Sequence, residues 1–450
     1  MKDMLRTPLA RRIGMTTAVA VLLLIMTGPS GTVYQPTAGV VGSFSARSSF
    51  FGLFATQRWV VWLALTLIVT GVIRAVKFLR ARVPQVNTVP REAVAAIKAP
   101  FRRRSIRFSS YGVVLLVALF IPALISDNFW QQSIVEAIAV YVLLALGLNV
   151  VVGFAGLLDL GFVAFYAIGA YVTAWVTGAL PLHAPFGVHL DPFWAIPIAI
   201  AVAMVAGILL GIPTLRLRGD YLAIVTLGFG EIVTIFLNNL YKVTGGSTGS
   251  NQVPHFVFHV GPLKYAWGLG PVPYYYLTLG FVVLFLLAFS RLEHSRVGRA
   301  WTAIREDEVA AESLGINPLK FKVMAFAIGA ASAGFAGVMT AAQTNFLSPQ
   351  TFLLSVSINV LVLVIFGGMG SIIGVLVGAA LVQFLLTYLD HYAPYGFQPA
   401  DIYIYLGALL VATMIFRPAG LIPAKRRRRE IAMAEAGEGH MDELLTGDTP

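Results

Sequence analysis

GRAWTAIREDEVAAESLGINPLKFK, residues 298–322, is polar, charged and helix-forming, and it lies between long apolar runs. Trp301, Ile304, Val309 and Leu314 can form one apolar side, while Arg305, Glu306, Asp307, Glu308 and Glu312 supply polar surface. Gly315 suits the left-handed conformation that ends a helix. Asn317-Pro318 then offers an N-cap followed by a proline in the first helical position. The stretch therefore predicts helix, sharp turn, helix. A membrane protein that is driven by a soluble partner needs such a firm helical handle at its surface. The other reading, an amphipathic helix lying on lipid, is opposed by the acids in the middle of the polar face, which anionic lipid repels.

The rest of the chain fits a membrane setting. Hydrophobic residues make up 58% of the 450 and charged residues 12%, against about a quarter charged in a soluble domain. Mean hydropathy is +0.80. Apolar runs long enough to cross about 30 Å of hydrocarbon recur, and strand-type alternation is absent, which excludes an outer-membrane barrel. The expected fold is an all-α polytopic membrane protein with about twelve spans, near 13–27, 59–79, 111–125, 134–152, 162–180, 193–212, 221–240, 273–290, 318–343, 352–366, 371–389 and 402–416. Some of these are short, and the Gly-rich stretches 153–161 and 366–374 are candidates for re-entrant segments.

Charge placement orients the map. With both termini in the cytoplasm, 28 of the 32 Lys and Arg fall on the inner side, as the positive-inside rule requires. The four outside are Arg47, Arg58, Lys242 and Lys264. The net charge of +11 thus reflects orientation and contact with membrane lipids, not nucleic acid. The runs Arg102–Arg104 and Arg426–Arg429 read as juxtamembrane anchors. Met1 to Gly28 resembles a signal peptide but lacks an A-x-A-like site, so an uncleaved first span is expected. Three regions follow: an accessory part over 1–108, with two spans, a Gly/Ser-rich outer loop and a basic inner linker; a permeation core over 109–423; and a basic then acidic cytoplasmic tail over 424–450.

Enzyme signals are negative. The chain has no Cys, so thiol catalysis, disulfides and Cys-ligated metals are excluded. Its seven His show no H-E-x-x-H spacing, and no G-x-S-x-G or Walker A sequence appears. No metal site and no resident cofactor are expected. Acids inside apolar segments are costly and usually functional. Glu136 lies near a helix end and suits a solvated or capping role. Asp159, in Gly156-Leu-Leu-Asp159-Leu-Gly161, suits either a helix cap or a translocation pathway. Glu231, mid-helix in LGFGEIVTIFLNNL, suits contact with a substrate or gate, or a buried hydrogen bond. Asn149, Thr226 and Asn238 join Asp159 and Glu231 as candidate pathway residues. Three isolated acids make a poor proton relay, which weakens ion-coupled transport.

Small residues recur at four-residue spacing in Gly370, Gly374, Gly378 and in Gly329, Ala333, Gly337, as close helix packing in lipid requires. Gly153, Gly156, Gly367, Gly368, Gly370 and Gly374 are the candidate packing or hinge glycines. Gly153-Phe-Ala-Gly156 and Gly367-Gly-Met-Gly370 form an internal echo of the kind seen where transporter helices are interrupted.

Four blocks together carry a resemblance. REDEVAAESLGINP (305–318) resembles the coupling loop of ATP-binding-cassette importer permeases. GLNVVVGFAGLLDLGFVAFYAIGAY (147–171), LRLRGDYLAIVTLGFGEI (215–232) and VLVIFGGMGSIIG (362–374) resemble the branched-chain amino acid permease family, nearest its M-type subunit. The resemblance covers roughly 111–423. It departs from the coupling-loop pattern in the acids at 306–308 and in Glu312. It implies an importer in the bacterial inner membrane, of which this chain forms half of the pore. A second homologous permease subunit would complete the pore. Two cytoplasmic ATPases would bind ATP and Mg and grip the loop through Arg305, Glu306, Asp307, Glu308, Ala311 and Gly315. A periplasmic or lipid-anchored binding protein would deliver leucine, isoleucine or valine, with the outer loop 241–272 and its TGGSTGSN (244–251) as one docking surface or as a plain connector. Helix N-termini at the Gly-rich breaks would meet the substrate carboxylate. The competing readings are import of urea or short amides by the same family, and an ion-gradient-driven carrier.

Overall fold

The apolar runs fold as helices of membrane-crossing length. In a computed structural model, the described residues are 118–122, 127–182, 190–215, 220–260, 263–268, 270–392, 406–407, 409–411, 413–414 and 420–423. The expected spans 13–27 and 59–79, the signal-like N-terminus, the linker 74–107, both arginine runs and the acidic tail lie outside them. The expected spans at 111–125 and 402–416 are described only in part. Nearly all described residues belong to one compact unit, 119–388 with 403–450.

Among the described residues, six helices are long and apolar enough to cross a membrane. They are α1 (Asn128–Phe154), α3 (Pro192–Thr214), α4 (Asp220–Asn239), α5 (Pro271–Glu293), α8 (Pro318–Thr344) and α10 (Ile372–Tyr392). Two shorter apolar helices, α2 (Phe162–Val176) and α9 (Leu354–Gly367), account for two further expected spans. Between α5 and α8 the polar stretch forms α6 (Arg296–Glu306) and α7 (Glu308–Ser313). The fold is not wholly helical. Short strands β1 (Ser250–Asn251), β2 (Val257–Val260), β3 (Leu263–Ala266) and β4 (Phe346–Leu347) form two antiparallel two-stranded ladders, β1 with β4 and β2 with β3.

Helix α8 is the axis of the bundle. Its apolar residues are mostly small, so neighbours approach to backbone contact and dispersion forces act over many atom pairs at about 0.1–0.2 kcal/mol each. Gly329, Ala333 and Gly337 are all buried, as their spacing predicts. A methyl group on Gly337 would strike the Tyr166 carbonyl of α2, and one on Gly334 would meet Ala203 of α3 at 2.5 Å. Helix α3 answers with a matching stripe, Ala195, Ala199, Ala203, Gly207 and Gly211, all buried at four-residue spacing.

The second small-residue strip is only partly a packing strip. Gly374 and Gly378 do press on Gly367 of α9. Gly370, however, precedes α10 in the turn, with φ +82. The stretch 366–374 is therefore a tight turn between two helices. Gly368 and Gly370 take positive φ, and Ser371 N–H donates to the Gly368 carbonyl at 3.0 Å.

The motif TGGSTGSN, expected in an outer loop, is folded in place. Thr244, Gly246 and Ser250 are buried, while Ser247 and Thr248 are exposed. Thr244 Oγ1 donates to the Leu237 carbonyl at 2.7 Å, and Ser250 Oγ donates to the Ala179 carbonyl at 2.7 Å. Ser250 pairs with Leu347 in the β1–β4 ladder. The motif thus ties the far ends of α2, α4 and α8 together.

Candidate functional site: the elbow and the glycine breaks

The polar stretch is an elbow whose shape each residue type explains. Ser295 caps α6, its Oγ accepting from Gly298 N–H at 3.2 Å. A continuous helix from Trp301 to Leu314 is the simplest reading of the sequence, but Asp307 breaks it. Asp307 is extended, at φ −152 and ψ 108, and its carboxylate accepts from the N–H groups of Val309 and Ala310 at 2.9 Å each. A side chain that caps the next helix competes with continuation of the first. Gly315 closes α7 with φ +84, and Ile316 N–H returns to the Ala311 carbonyl at 3.1 Å. Asn317 caps α8 through Lys320 N–H at 3.1 Å, as expected from Asn-Pro.

The apolar side splits at this kink. Trp301 is 0% exposed and Ile304 is buried against the bundle. Val309 and Leu314 point away from it, at 67% and 81% exposure. Four residues therefore do not make one stripe; two anchor the elbow, and two form an apolar knob among Glu306, Asp307 and Glu312, which are exposed. Ala311 is buried.

Three ties join the elbow to the bundle. Trp301 Nε1 donates to the Phe321 carbonyl at 2.7 Å and its ring stacks on Phe154, with centroids 6.4 Å apart and planes 13° apart. Lys322 pairs with Glu308 at 2.7 Å, and that lysine is buried. Arg305 Nη1 donates to the Gly153 carbonyl at the end of α1. The sequence reading placed Arg305 and Glu308 among residues that face a partner; here each also holds the chain to itself. The tie through Lys322 was missed, although a lysine just inside an apolar run is a usable signal.

Gly153 and Gly370, from the two echoing Gly-rich stretches, meet at Arg305. Asn149 Oδ1 accepts from Gly370 N–H at 2.9 Å, across 221 residues. A methyl on Gly370 would lie 3.1 Å from the Gly153 carbonyl and 3.3 Å from Arg305 Nη1. Gly156, at φ +72, faces the Arg305 side chain, where a methyl would come within 2.7 Å of Cγ. Asn149 itself opens a π-helical stretch, Asn149–Phe154, which ends α1. Such bulges are rare and cluster at functional sites.

The first break continues from Ala155 to Gly161 and leans on α4. Leu160 N–H donates to Thr226 Oγ1 at 3.1 Å, and Gly161 N–H donates to Asp159 Oδ1 at 2.9 Å. Asp159 is 1% exposed, and among the described residues its Oδ2 has no hydrogen-bond partner. Val163 N–H, in the first turn of α2, donates to Ser357 Oγ of α9 at 2.9 Å, a contact that sequence reasoning did not find.

The five pathway candidates thus separate. Asn149 and Thr226 are buried and spent on holding the breaks, so in this conformation neither lines an open path. Asp159 is sealed beside Thr226. Glu231 and Asn238 are half-buried, seven residues apart on one flank of α4. Thr234 lies on the same side, and its Oγ1 donates to the Phe352 carbonyl at 3.0 Å, just before α9. That flank therefore faces the start of α9, and among the described residues the Glu231 carboxylate has no partner. Glu136 is half-buried and accepts from Gln132 Nε2 at 2.8 Å. Among the described residues no group of His, Cys, Asp and Glu is placed to hold a metal.

Residues 132–416 match the family model described as the branched-chain amino acid transport system permease component. The chain is 42% identical over 333 residues to the high-affinity branched-chain amino acid transport system permease protein LivM of Escherichia coli strain K12, covering 70% of this chain and 74% of that one. It is 40% identical over 342 residues to LivM of Salmonella typhimurium, covering 72% and 76%. To LivH of Escherichia coli strain K12 it is 24% identical over 296 residues, covering 63% and 91%. No solved structure matches.

Proposed function

Because this multi-pass membrane protein belongs to the branched-chain amino acid transport permease family, we propose that it is one of two pore-forming subunits of an ATP-driven importer for leucine, isoleucine and valine. A second permease of the same family completes the pathway. Two cytoplasmic ATPases seat against the elbow, and a periplasmic or lipid-anchored protein delivers the amino acid. The elbow faces the cytoplasm of a bacterial inner membrane, as do both termini, and ATP with Mg binds the partner ATPases only.

The observation that supports this most is the elbow's two-sided build. Outward it presents Val309 and Leu314 in a polar, acidic rim, the composition of a protein contact. Inward it is tied to α8 by Lys322 and Trp301 and to the glycine breaks by Arg305. When ATP draws the ATPases together, the knob moves with them. The ties pass that displacement to α8, α1 and the turn before α10. One of two pore conformations is then favoured, because ATP binds differently to the two states. The substrate brings a carboxylate, an ammonium and an aliphatic group. In this reading the Glu231 carboxylate takes the ammonium, and helix N-termini at the breaks take the carboxylate.

Leu314→Asp tests the docking half of this reading. The side chain is exposed, so insertion and thermal stability stay within about 0.5 kcal/mol, while leucine uptake by the reconstituted transporter is lost. Wild-type uptake by that variant contradicts the assignment. Glu231→Gln is expected to raise the apparent Km for uptake; unchanged Km and maximal rate would make the carboxylate structural.

A further inference from the structure

Two glycines of α4 sit on opposite sides of the helix, and only one of them has a reason inside this chain. Helix α4 turns Leu222, Thr226, Gly230, Thr234 and Leu237 into the bundle. Gly230 is needed there, because a methyl group would lie 3.3 Å from the Gly161 Cα. Gly228, two residues earlier, points the other way. A methyl on Gly228 would meet nothing within 4 Å, and its backbone is ordinary helix. Glycine inside a helix is destabilising relative to alanine. The fold therefore loses stability at Gly228 and gains no packing contact in return.

Its neighbours give the open position a chemistry. Glu231 lies three residues on, and Ile224 and Ile235 lie one turn before Gly228 and one turn after Glu231. This spacing puts all four on one stripe of the helix. Ile224 and Ile235 are exposed, and Glu231 is half-buried with its carboxylate unpartnered among the described residues. Along α4 the stripe thus reads aliphatic, empty, acidic, aliphatic.

Chemistry selects among occupants. Helix α5 shows what a lipid face looks like: Gly280 is just as open, but the large exposed residues there are Tyr276, Leu284 and Leu287, and no charge lies between Pro271 and Ser290. A mid-helix carboxylate does not belong against hydrocarbon. A helix of another subunit packed flush on the stripe would fill the space at Gly228 but bury Glu231 without a partner. A branched aliphatic amino acid fits each part. Its ammonium suits Glu231, and its alkyl group fills the place of the missing side chain, against the two isoleucines.

We propose that Gly228 is a specificity-determining residue: the alkyl group of the transported amino acid lies over it, between Ile224 and Ile235, while the ammonium meets Glu231. The proposal rests on the importer reading and adds the place where cargo size is read. The stripe faces away from this chain's own bundle, so the wall across from it comes from the second permease subunit.

The chain has no cysteine, so Gly228→Cys places a single thiol where there is room for it. The variant is assembled with its partner subunits and treated with a charged, water-soluble methanethiosulfonate, and modification of this chain is read by mass spectrometry. The thiol should react, whereas Gly280→Cys on the lipid face should not. Saturating leucine should abolish the reaction at 228. Free glycine, which has the same charges and no alkyl group, should leave it unchanged. A reaction that leucine does not slow overturns the proposal and leaves the importer reading standing. No reaction at 228, with or without ATP, means that lipid or protein covers the stripe, and it overturns the pathway placement of Glu231 as well. Gly228→Val should fold and melt as wild type, because the added atoms enter open space, and it should lower leucine uptake relative to valine uptake by about tenfold. An unchanged leucine-to-valine ratio in that variant likewise overturns the proposal.

Discussion

The two glycine-rich breaks look alike in sequence and are built on different principles. The break after α1 runs over several residues and is held by side chains: Thr226 under Leu160, Asp159 under Gly161, and Arg305 over Gly153. The break between α9 and α10 is a short turn; one side chain from outside it, Asn149, accepts from Gly370 N–H, and the turn's closest contacts are backbone against backbone. Gly367 and Gly374 touch so closely that a methyl on Gly367 would fall 2.6 Å from the Gly374 carbonyl. Side-chain bonds can be exchanged at a cost of about 1 kcal/mol each, whereas a glycine contact has no second arrangement of similar energy. The first break is thus suited to change shape, and the second to serve as the fixed point against which it moves.

Gly367→Val attacks the fixed point and should have the largest effect. Overpacking of a close contact costs about 1–3 kcal/mol and occasionally more. Here backbone lies on the other side, so the variant should fail to reach the membrane as folded protein, read as loss of a monodisperse detergent peak. A folded Gly367→Val protein with wild-type melting would remove the distinction between the breaks. Thr226→Val attacks the movable one and should do less. It keeps the volume of Thr226 but leaves Leu160 N–H without its acceptor, at a cost of about 1–3 kcal/mol. The variant should insert, melt at a lower temperature, and change uptake rate more than protein level. If it fails to fold as Gly367→Val does, the first break is as rigid as the second.

Much of the bundle was legible because helix formation in lipid leaves a strong mark. An apolar run of sufficient length has few other structures open to it, and the runs at 193–212, 221–240, 273–290 and 318–343 became α3, α4, α5 and α8. Local chemistry was equally readable where one residue decides one bond, as at Gly315 and Asn317-Pro318. The kink at Asp307 could have been seen, since Asp before a helical run is an N-cap signal. What the sequence could not show is pairing at a distance. Asn149 with Gly370, Val163 with Ser357 and Arg305 with Gly153 join residues more than a hundred positions apart, and no periodicity records such partners. Asn149 and Thr226 illustrate the limit, because a polar side chain in an apolar run has the same appearance whether it faces a solute or caps a neighbouring N–H.

The elbow carries the central claim, and the absence of native cysteine makes it directly measurable. A Leu314→Cys variant, assembled with its ATPase partners and treated with a short bifunctional thiol reagent, should cross-link to an ATPase subunit, and ATP should change the yield. A thiol at 314 that reacts freely with a bulky soluble reagent in the assembled transporter, with no cross-link and no response to ATP, would contradict the account.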